Sequence, residues 1–174
     1  MAEYHLSAPL SAEEAQRLRA GDVIFLSGTI YTARDAAHKK LMEILDAGAP
    51  PPFPLQGAVI YYVGPTPPPP DRPIGSAGPT TSYRMDSFAP RLHSLGVRAS
   101  IGKGKRNEAV KQALKDHTGV YFGATGGAGA LLSLCITAAK VIAFAELGPE
   151  AIRELTVKDL PLLVINDSVG GDLY

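Results

Sequence analysis

The sequence contains a single cysteine, Cys135, and no tryptophan among its 174 residues. One cysteine excludes an internal disulfide and any metal site built from several cysteines of this chain. Cys135 lies in the apolar run Leu131–Ile136, which favours a buried and inert thiol. The alternative is a catalytic nucleophile, but no histidine lies nearby in the sequence to activate it.

The chain also lacks an excess of either charge, since 17 basic residues balance 17 acidic ones. It therefore offers no global field for nucleic acid or an anionic membrane, and any anion site must be local. The mostly apolar runs Leu131–Ala139 and Val141–Ala145 are too short to span a bilayer. Because the N-terminus lacks the basic-then-apolar order of a signal peptide, we expect a cytoplasmic protein.

The length predicts one domain over residues 1–174, and predicted strands that alternate with helices indicate an α/β layered architecture. Strands are expected at Asp22–Thr29, Gly57–Val63, Val97–Ile101, Val120–Phe122, Val141–Ala145 and Leu160–Ile165. Helices are expected from Ser11 to about Arg19, from Thr32 to Gly48, near Ser82–Leu95, at Asn107–His117 and at Ala130–Ala138, with a helical turn at Glu150–Leu155. Ser11 with Glu14, and Thr32 with Asp35, are read as capping boxes.

Positively charged residues recur at predicted helix starts, where the helix dipole favours acidic ones. Arg34 and Arg84 each fall in the first turn of a predicted helix, and Lys103, Lys105 and Arg106 precede a third. In open α/β folds, helix N-termini and the carboxyl ends of strands bind anions. An arginine also matches a carboxylate with two parallel hydrogen bonds. The pattern predicts a site for a ligand with two carboxylates, although each cation alone is also compatible with an ordinary solvated surface residue.

Phosphate is the competing anion. The glycine loop Gly123–Gly129, GATGGAG, does not match GxGxxG, and no GxxxxGK[ST] pattern occurs in the chain. A phosphate-binding loop therefore has only weak support.

The long Pro- and Gly-rich stretch Gly64–Pro79 is a loop of the kind that is usually functional or mobile.

Several polar residues near these cations allow two interpretations. Thr80, Thr81 and Ser82 are either helix caps or, with neighbouring cations, a source of an acid/base hydroxyl. Asp35 is either a cap or a catalytic carboxylate. His38 lies one turn after Arg34 on the same helix face, so its ring is expected to face the same ligand. The remaining histidines have no chemical context and are expected at the surface, namely His5, His93 and His117.

Four segments resemble a known family. They are GDVIFLSGTIYTARDAAHKKL at Gly21–Leu41, SAGPTTSYRMDSFAPRL at Ser76–Leu92, GKGKR at Gly102–Arg106 and GATGGAGALL at Gly123–Leu132. The chain is similar, over almost its whole length, to the β subunit of class I, iron–sulfur fumarate hydratase and of L-tartrate dehydratase. In single-chain members of that family the corresponding region is the C-terminal domain.

The resemblance implies a swivelling β/β/α fold and a hydro-lyase that reversibly hydrates fumarate to L-malate. It implies that a [4Fe-4S] cluster is held by three cysteines of a partner α subunit and not by this chain, with an open iron position acting as a Lewis acid. The expected assembly is a hetero-oligomer such as α2β2, and the isolated chain is expected to be inactive and to associate with itself.

The resemblance also implies roles for individual residues. Arg34 and Arg84 match arginines that bind substrate carboxylates, and Lys103 matches an active-site lysine. Thr80 matches a threonine proposed as the base that takes the C3 proton, and Thr81 beside it is grouped with the substrate-binding residues.

Asp35 and His38 match motif positions for which a catalytic role is predicted. The motifs do not separate fumarase from tartrate dehydratase, so fumarase is preferred as the commoner activity. A second hypothesis is a non-catalytic subunit that binds dicarboxylates or serves assembly.

Overall fold

Seven strands form one mixed sheet in a computed structural model of the chain, which describes residues 1–124 and 128–174. The strands are β1 (Glu3–Ala8), β2 (Val23–Thr32), β3 (Val59–Tyr61), β4 (Ala99–Gly102), β5 (Val120–Gly123), β6 (Ile136–Ala143) and β7 (Ile152–Asn166). The helices are α1 (Ala12–Arg17), α2 (Asp35–Asp46), α3 (Ala89–Ser94), α4 (Glu108–His117) and α5 (Gly129–Ser133), with 3₁₀ turns at Ser82–Met85 and Ala145–Glu150.

Five of the strands close into a barrel-like ring. The sheet order is β1-β2-β3-β4-β5-β7-β6, and a further pairing between β2 and β7 joins the two sides. Strands β2, β3, β4 and β5 run parallel to one another. Strand β7 is antiparallel to β2, β5 and β6. The α/β architecture predicted from the sequence is therefore confirmed at the level of a seven-stranded sheet with a closed ring and flanking helices.

The parallel strands place their carboxyl ends at one edge of the ring. Arg34 follows β2, Lys103 follows β4, and the loop that leads to Thr80 follows β3. The register pairs the last residue of β2 with Tyr61 and pairs Tyr61 with Ile101, so these ends lie side by side. The segments that carry the predicted anion-binding residues therefore meet at this edge.

Apolar side chains fill the ring and its flanks. The largest buried cluster includes alternate residues of the ring strands, among them Ile24, Leu26, Ile101 and Phe122. A second cluster packs α2 and α3 against the sheet through Ala37, Leu41, Leu92 and their neighbours. Burial of each such side chain contributes about 1.5–3 kcal/mol relative to exposure.

Two helices were predicted close to their observed starts, and a side-chain cap is formed at each. Ser11 Oγ accepts the Glu14 amide at 3.0 Å, and Glu14 Oε2 accepts the Ser11 amide at 2.8 Å, which confirms the capping box of α1. Asn107 caps α4, because its Oδ1 accepts the Val110 amide at 2.9 Å. The predicted strands over residues 22–29, 57–63, 97–101 and 120–122 are present with shifted ends.

The second predicted capping box is wrong. Thr32 is the last residue of β2, and its hydroxyl donates to the Ala151 carbonyl at 3.3 Å and accepts the Arg153 amide at 2.9 Å. Strand pairing with β7 thus engages the side chain that was expected to cap α2. The helix begins at Asp35, and Arg34 occupies its N-cap position without a side-chain cap bond.

Three other predictions about elements are also wrong. The expected helix Ala130–Ala138 ends at Ser133, and the chain continues as β6, which pairs with β7. The expected helical turn Glu150–Leu155 is the end of a 3₁₀ turn followed by the start of β7. The expected helix near Ser82–Leu95 is a four-residue 3₁₀ turn and the separate helix α3. Strand β1 was not predicted, since its pairing with β2 has no local signal.

Cys135 is only partly buried, and its Sγ lies 3.9 Å from the Asp159 carbonyl oxygen. Burial raises the pKa of this thiol, which keeps it protonated and poorly nucleophilic at neutral pH. His93, expected at the surface, is 3% exposed. No helix of the described residues has the length and apolar composition needed to cross a bilayer.

Candidate active site

A cleft of about 520 Å³ opens at the carboxyl edge of the parallel strands. Its walls come from the start of α2, from the 3₁₀ turn Ser82–Met85 with the residues after it, and from the 3₁₀ turn before β7. The lining residues are Arg34, Asp35, Ala36, Lys39, Arg84, Ser87, Phe88 and Glu150. The three cationic and two acidic side chains give the lining a formal net charge of +1. A volume of this size suits a small ligand, and the excess positive charge favours an anion.

The two predicted arginines meet around one carboxylate. Arg84 Nε lies 3.1 Å from Asp35 Oδ2, and Arg34 Nε lies 3.9 Å from Asp35 Oδ1. The side chains of Arg34, Asp35 and Arg84 are 26%, 38% and 47% exposed, so solvent and ligands reach all three. Asp35 therefore attracts both guanidinium groups electrostatically while leaving the lining positive.

Arg34 lies close to the backbone of the neighbouring strand. A Cβ on Gly64 would be 3.0 Å from Arg34 Nη1 and 3.1 Å from its Cδ. Gly64 follows β3 directly after Val63, at the start of the proline-rich loop. The absence of a side chain there allows the arginine to cross the end of the sheet.

Two polar atoms of this cluster are buried without partners. Arg34 Nε and Asp35 Oδ1 form no hydrogen bond within residues 1–124 and 128–174. Buried polar atoms in native structures are nearly always paired, so both atoms keep unused hydrogen-bonding capacity beside the cleft.

The start of α2 receives its cap from a distant residue. Glu150 Oε1 accepts the Ala36 amide at 3.2 Å across the cleft, although 114 residues separate the two. This contact replaces the predicted Thr32 cap and adds the second negative charge of the lining. Sequence reasoning missed Glu150 because no local pattern connects it to α2.

Four more lining residues were not predicted as site residues, namely Ala36, Lys39, Ser87 and Phe88. Lys39 could have been found, because it follows Asp35 by one helical turn and shares its face. Ser87 and Phe88 follow the 3₁₀ turn that carries Arg84, in a stretch that was expected to be helix.

His38 lies behind the cleft with its ring fully buried, so the expectation that it faces the ligand is wrong. Its Nδ1 is 2.8 Å from the Arg34 carbonyl oxygen, and its ring stacks on Phe88 with centroids 5.5 Å apart. Burial lowers the pKa of His38 to about 4, so the imidazole is neutral at pH 7 and donates from Nδ1 to that carbonyl. The remaining nitrogen, Nε2, has no partner in the part of the chain that the structure describes.

Thr80, Thr81 and Lys103 are joined by backbone contacts at the same edge. The Thr80 amide donates to the Tyr62 carbonyl at 2.7 Å, and the Ser82 amide donates to the Lys103 carbonyl at 2.9 Å. A short parallel bridge pairs Thr81 with Lys103. These contacts hold the segment before Arg84 against the segment that follows β4, and the side chain of Lys103 is exposed.

The prediction that cations occupy three positively charged helix starts is wrong in part. Arg84 lies near the end of a four-residue 3₁₀ turn, which is too short to develop a substantial macrodipole. Arg106 is fully buried and paired with Asp86, so it is not available to a ligand. Lys105 lies with its Nζ 5.9 Å from the centre of the Tyr174 ring. The strand ends, and not the helix dipoles, bring Arg34 and Arg84 together.

The glycine loop GATGGAG falls partly outside the described residues, since Thr125, Gly126 and Gly127 lie in the gap. Its flanks are placed beside the segment that leads to Thr80, because the Ala77 amide donates to the Gly129 carbonyl at 3.0 Å. Among the described residues, no three His, Cys, Asp or Glu side chains are grouped to hold a metal ion.

The chain is similar to known proteins along its whole length. A family model described as "Fumarase C-terminus" matches residues 1–174. The chain is 40% identical over 174 residues to "Putative fumarate hydratase class I" of Geobacillus stearothermophilus, covering 97% of this chain and 33% of that protein. It is 41% identical over 151 residues to "Fumarate hydratase class I, anaerobic" of Escherichia coli (strain K12), covering 86% of this chain and 28% of that protein.

A relative that is named as a β subunit is matched over most of its own length. "Putative L(+)-tartrate dehydratase subunit beta" of Methanocaldococcus jannaschii is 37% identical over 175 residues, covering 95% of this chain and 88% of that protein. The chain thus spans about a third of the length of the fumarate hydratases it matches and most of the length of the tartrate dehydratase subunit.

Proposed function

Because the chain belongs to the fumarase C-terminus family, we propose that it is the β component of a hydro-lyase that interconverts fumarate and L-malate. The observation that carries the proposal is the convergence of Arg34 and Arg84 on one cleft around Asp35. Both residues lie in the motifs that resemble the class I enzymes, and both have the chemistry that a dicarboxylate requires.

A partner α chain completes the site in this proposal. The fumarate hydratases that resemble this chain are about three times as long as the matching segment, and the tartrate dehydratase relative is named as one subunit. The swivelling β/β/α arrangement and an α2β2 stoichiometry, both implied by the family resemblance, belong to the same proposal.

The cofactor of the proposal is a [4Fe-4S] cluster held by the partner. This chain does not fit it as a ligand set, since Cys135 is the only cysteine and lies at the start of β6, with its Sγ near Asp159. When bound by the partner, the cluster supplies a Lewis-acidic iron for the substrate hydroxyl and a carboxylate. The contribution of this chain is derived from its own residues.

Arg34 and Arg84 bind and orient the substrate carboxylates. Removal of a proton from the carbon next to a carboxylate builds negative charge on that carboxylate in its aci form. Guanidinium groups held in advance by Asp35 stabilise this charge more strongly in the transition state than in the ground state. Lys39 and Lys103 add positive charge along the same edge.

Thr80 is the proposed base for the C3 proton. A free threonine hydroxyl is too weak a base near neutral pH, so neighbouring cations must stabilise its alkoxide. Arg84 follows it by four residues, and Lys103 pairs with the adjacent Thr81. Thr81 is proposed to contact substrate, Asp35 to hold the two arginines, and His38 to fix the Arg34 backbone; a catalytic role for Asp35 and His38 stays a prediction.

L(+)-tartrate is the second candidate substrate, and the coverage of the tartrate dehydratase subunit favours it. Tartrate also carries two carboxylates, so the arginine pair serves both substrates equally.

The test is co-expression with a neighbouring α-subunit reading frame, anaerobic reconstitution of the cluster, and assays with fumarate and tartrate side by side. We expect turnover of one dicarboxylate by the complex and none by either chain alone. A cluster-loaded complex that binds dicarboxylates without turnover would show a non-catalytic binding subunit and contradict the enzyme proposal.

A further inference from the structure

A buried polar network lies beneath the segments that carry Thr80, Arg84 and Lys103. Its members are polar side chains from both segments and from the strands below them: Tyr62, Ser82, Asp86, Ser100, Arg106 and Tyr121. Each of these residues is at most 6% exposed. None of them is among the residues that line the cleft around Arg34 and Arg84.

Arg106 is the centre of this buried polar network. Its Nε donates to Asp86 Oδ1 at 2.6 Å, its Nη1 to Ser100 Oγ at 2.9 Å and its Nη2 to the Tyr62 hydroxyl at 3.1 Å. The guanidinium lies 5.2 Å from the ring centre of Tyr62 and 4.8 Å from that of Tyr121. Asp86 uses its second oxygen to accept the Asn107 amide at 2.8 Å.

A second branch runs through hydroxyl groups. The Tyr121 hydroxyl donates to the Gly104 carbonyl at 2.8 Å and lies 2.8 Å from Ser82 Oγ, which can donate to it. Ser82 is the first residue of the turn that carries Arg84, whereas Gly104 directly follows Lys103. One hydroxyl therefore connects the two segments that carry the proposed site residues.

Close approach of these segments is built into the backbone. A Cβ on Gly102 would overlap Ser82 Oγ, so only glycine fits at the end of β4. The bond from the Ser82 amide to the Lys103 carbonyl then runs parallel to the hydroxyl bridge. The relative position of Thr80 and Lys103 is thus set by contacts on the buried side.

The burial of a charged pair is weak evidence for a role in stability, because apolar residues of similar volume often stabilise a fold as well or better. What the ion pair and hydroxyls supply instead is fixed geometry, since each bond has a preferred length and direction. The network connects the segment from Thr80 to Asp86 with the segment from Lys103 to Asn107.

We propose that Tyr121 and Ser82, with Arg106 and Asp86, are positioning residues that set the spacing between the Thr80–Arg84 segment and Lys103. This inference rests on the proposed function, because it concerns the residues that carry out the dehydration. None of the four touches substrate, and they act through the two segments that they connect.

The test uses variants that remove one hydroxyl and keep the packing. Tyr121→Phe and Ser82→Ala are made in the complex with the α chain, alone and together. We expect each to lower kcat about tenfold or more with KM changed less than about threefold, since small displacements of reacting groups reduce rates steeply. The double variant should lose no more than Tyr121→Phe alone, because that change already removes the bond between Tyr121 and Ser82.

Tyr61→Phe is the matched control. Tyr61 is also a fully buried tyrosine whose hydroxyl donates to a backbone carbonyl, that of Ala77, away from the segment that follows β4. The control should change the thermal midpoint as much as Tyr121→Phe does while kcat stays near the wild-type value. An equal loss of kcat in Tyr61→Phe and Tyr121→Phe would overturn the positioning role.

Amide hydrogen exchange on the purified chain gives a readout that does not depend on activity. Tyr121→Phe should speed exchange at the Ser82 amide by at least about tenfold while the amides of β2 and β7 are unchanged. If exchange at Ser82 is unaffected, the positioning proposal fails even where the complex is active. A complex without turnover contradicts the proposed function and leaves the exchange result as the test of the network.

Discussion

Two arginine–aspartate pairs lie close together in this fold and differ in almost every physical respect. Arg84 meets Asp35 at 3.1 Å with both side chains more than a third exposed. Arg106 meets Asp86 at 2.6 Å, with exposures of 0% and 6%. Residue type and proximity to a helix start therefore do not decide whether a cation is available to a ligand.

The surroundings of each pair explain the difference. Each nitrogen of Arg106 donates to a partner in Asp86, Ser100 or Tyr62, and the side chain is 0% exposed, so an external anion cannot reach it. In the exposed pair, Asp35 Oδ1 and the neighbouring Arg34 Nε lack partners among the described residues. The Arg106–Asp86 pair is therefore a purely structural contact, whereas the Arg84–Asp35 pair can bind a ligand.

The largest effect is expected where the buried pair is broken. Asp86→Ala leaves the Arg106 charge buried and removes the acceptor for the Asn107 amide, so the free energy of unfolding should fall by about 3–5 kcal/mol. Asp46→Ala is the control, since Asp46 pairs with Arg91 at the surface. Urea denaturation of both variants checks this, and equal losses would show that burial of the pair contributes nothing special.

The exposed pair should govern turnover instead. Arg84→Ala in the reconstituted complex should lower kcat/KM roughly 10²–10³-fold, as expected when a donor aimed at developing charge is removed. Arg84→Lys should recover only part of the loss, because an ammonium lacks the planar fork. Arg91→Ala is matched in exposure and in having an aspartate partner, and it should keep normal turnover with an unchanged unfolding midpoint. Comparable loss in both variants would contradict the site.

The buried histidines should make stability fall in mild acid. Burial lowers the pKa of His38 and of His93 to about 4 in the folded chain, against about 6.5 when unfolded. Between these values the unfolded chain binds more protons, so the free energy of unfolding should fall by about 1.4 kcal/mol per pH unit for each histidine as pH drops from 6.5 to 4.

Asparagine variants test this pH dependence. His38→Asn and His93→Asn keep a donor near the acceptor carbonyls of Arg34 and Val97 and remove the titrating group. Each variant should flatten the dependence of stability on pH in this window. His5→Asn serves as the control, because that ring is 67% exposed. A slope that His38→Asn and His93→Asn leave unchanged would show that these rings are not buried in neutral form.

The smallest expected effect is the contribution of the two exposed ion pairs to the free energy of unfolding. Double-mutant cycles on Arg84–Asp35 and on Arg91–Asp46 should both give coupling energies of about 0.2–1 kcal/mol. The cleft pair would then be an ordinary surface pair for folding, although it is decisive for binding. A coupling energy well above this range for Arg84–Asp35 would mean that the pair is retained for stability.

Local patterns predicted the parts of this fold that short-range physics controls. The capping box at Ser11 and Glu14 and the Asn107 cap are formed within one helical turn, so their signals are complete in the sequence. The predicted strand Val141–Ala145 overlaps the end of β6, but the first part of β6 was missed, because its alanine-containing sequence has good helix propensity and only its pairing with β7 decides the outcome. The same pairing engages Thr32, which defeated the predicted cap of α2.

The candidate site was predicted in the same uneven way. Arg34 and Arg84 were predicted from positive charges at helix starts and Asp35 from a capping pattern, together with family motifs, and the structure places all three in one cleft. Glu150 was missed because its contact with α2 crosses the fold. Arg106 was grouped with the ligand-binding cations because its burial depends on tyrosines from two separate strand ends.

Calorimetric titration of fumarate into the cluster-loaded complex tests the arginine cleft most directly. The wild-type complex and the Arg91→Ala complex should bind with the same affinity, and Arg84→Ala should weaken binding roughly 10–100-fold through loss of a charge-assisted contact. Equal affinity in all three complexes would contradict the assignment of this cleft as the dicarboxylate site.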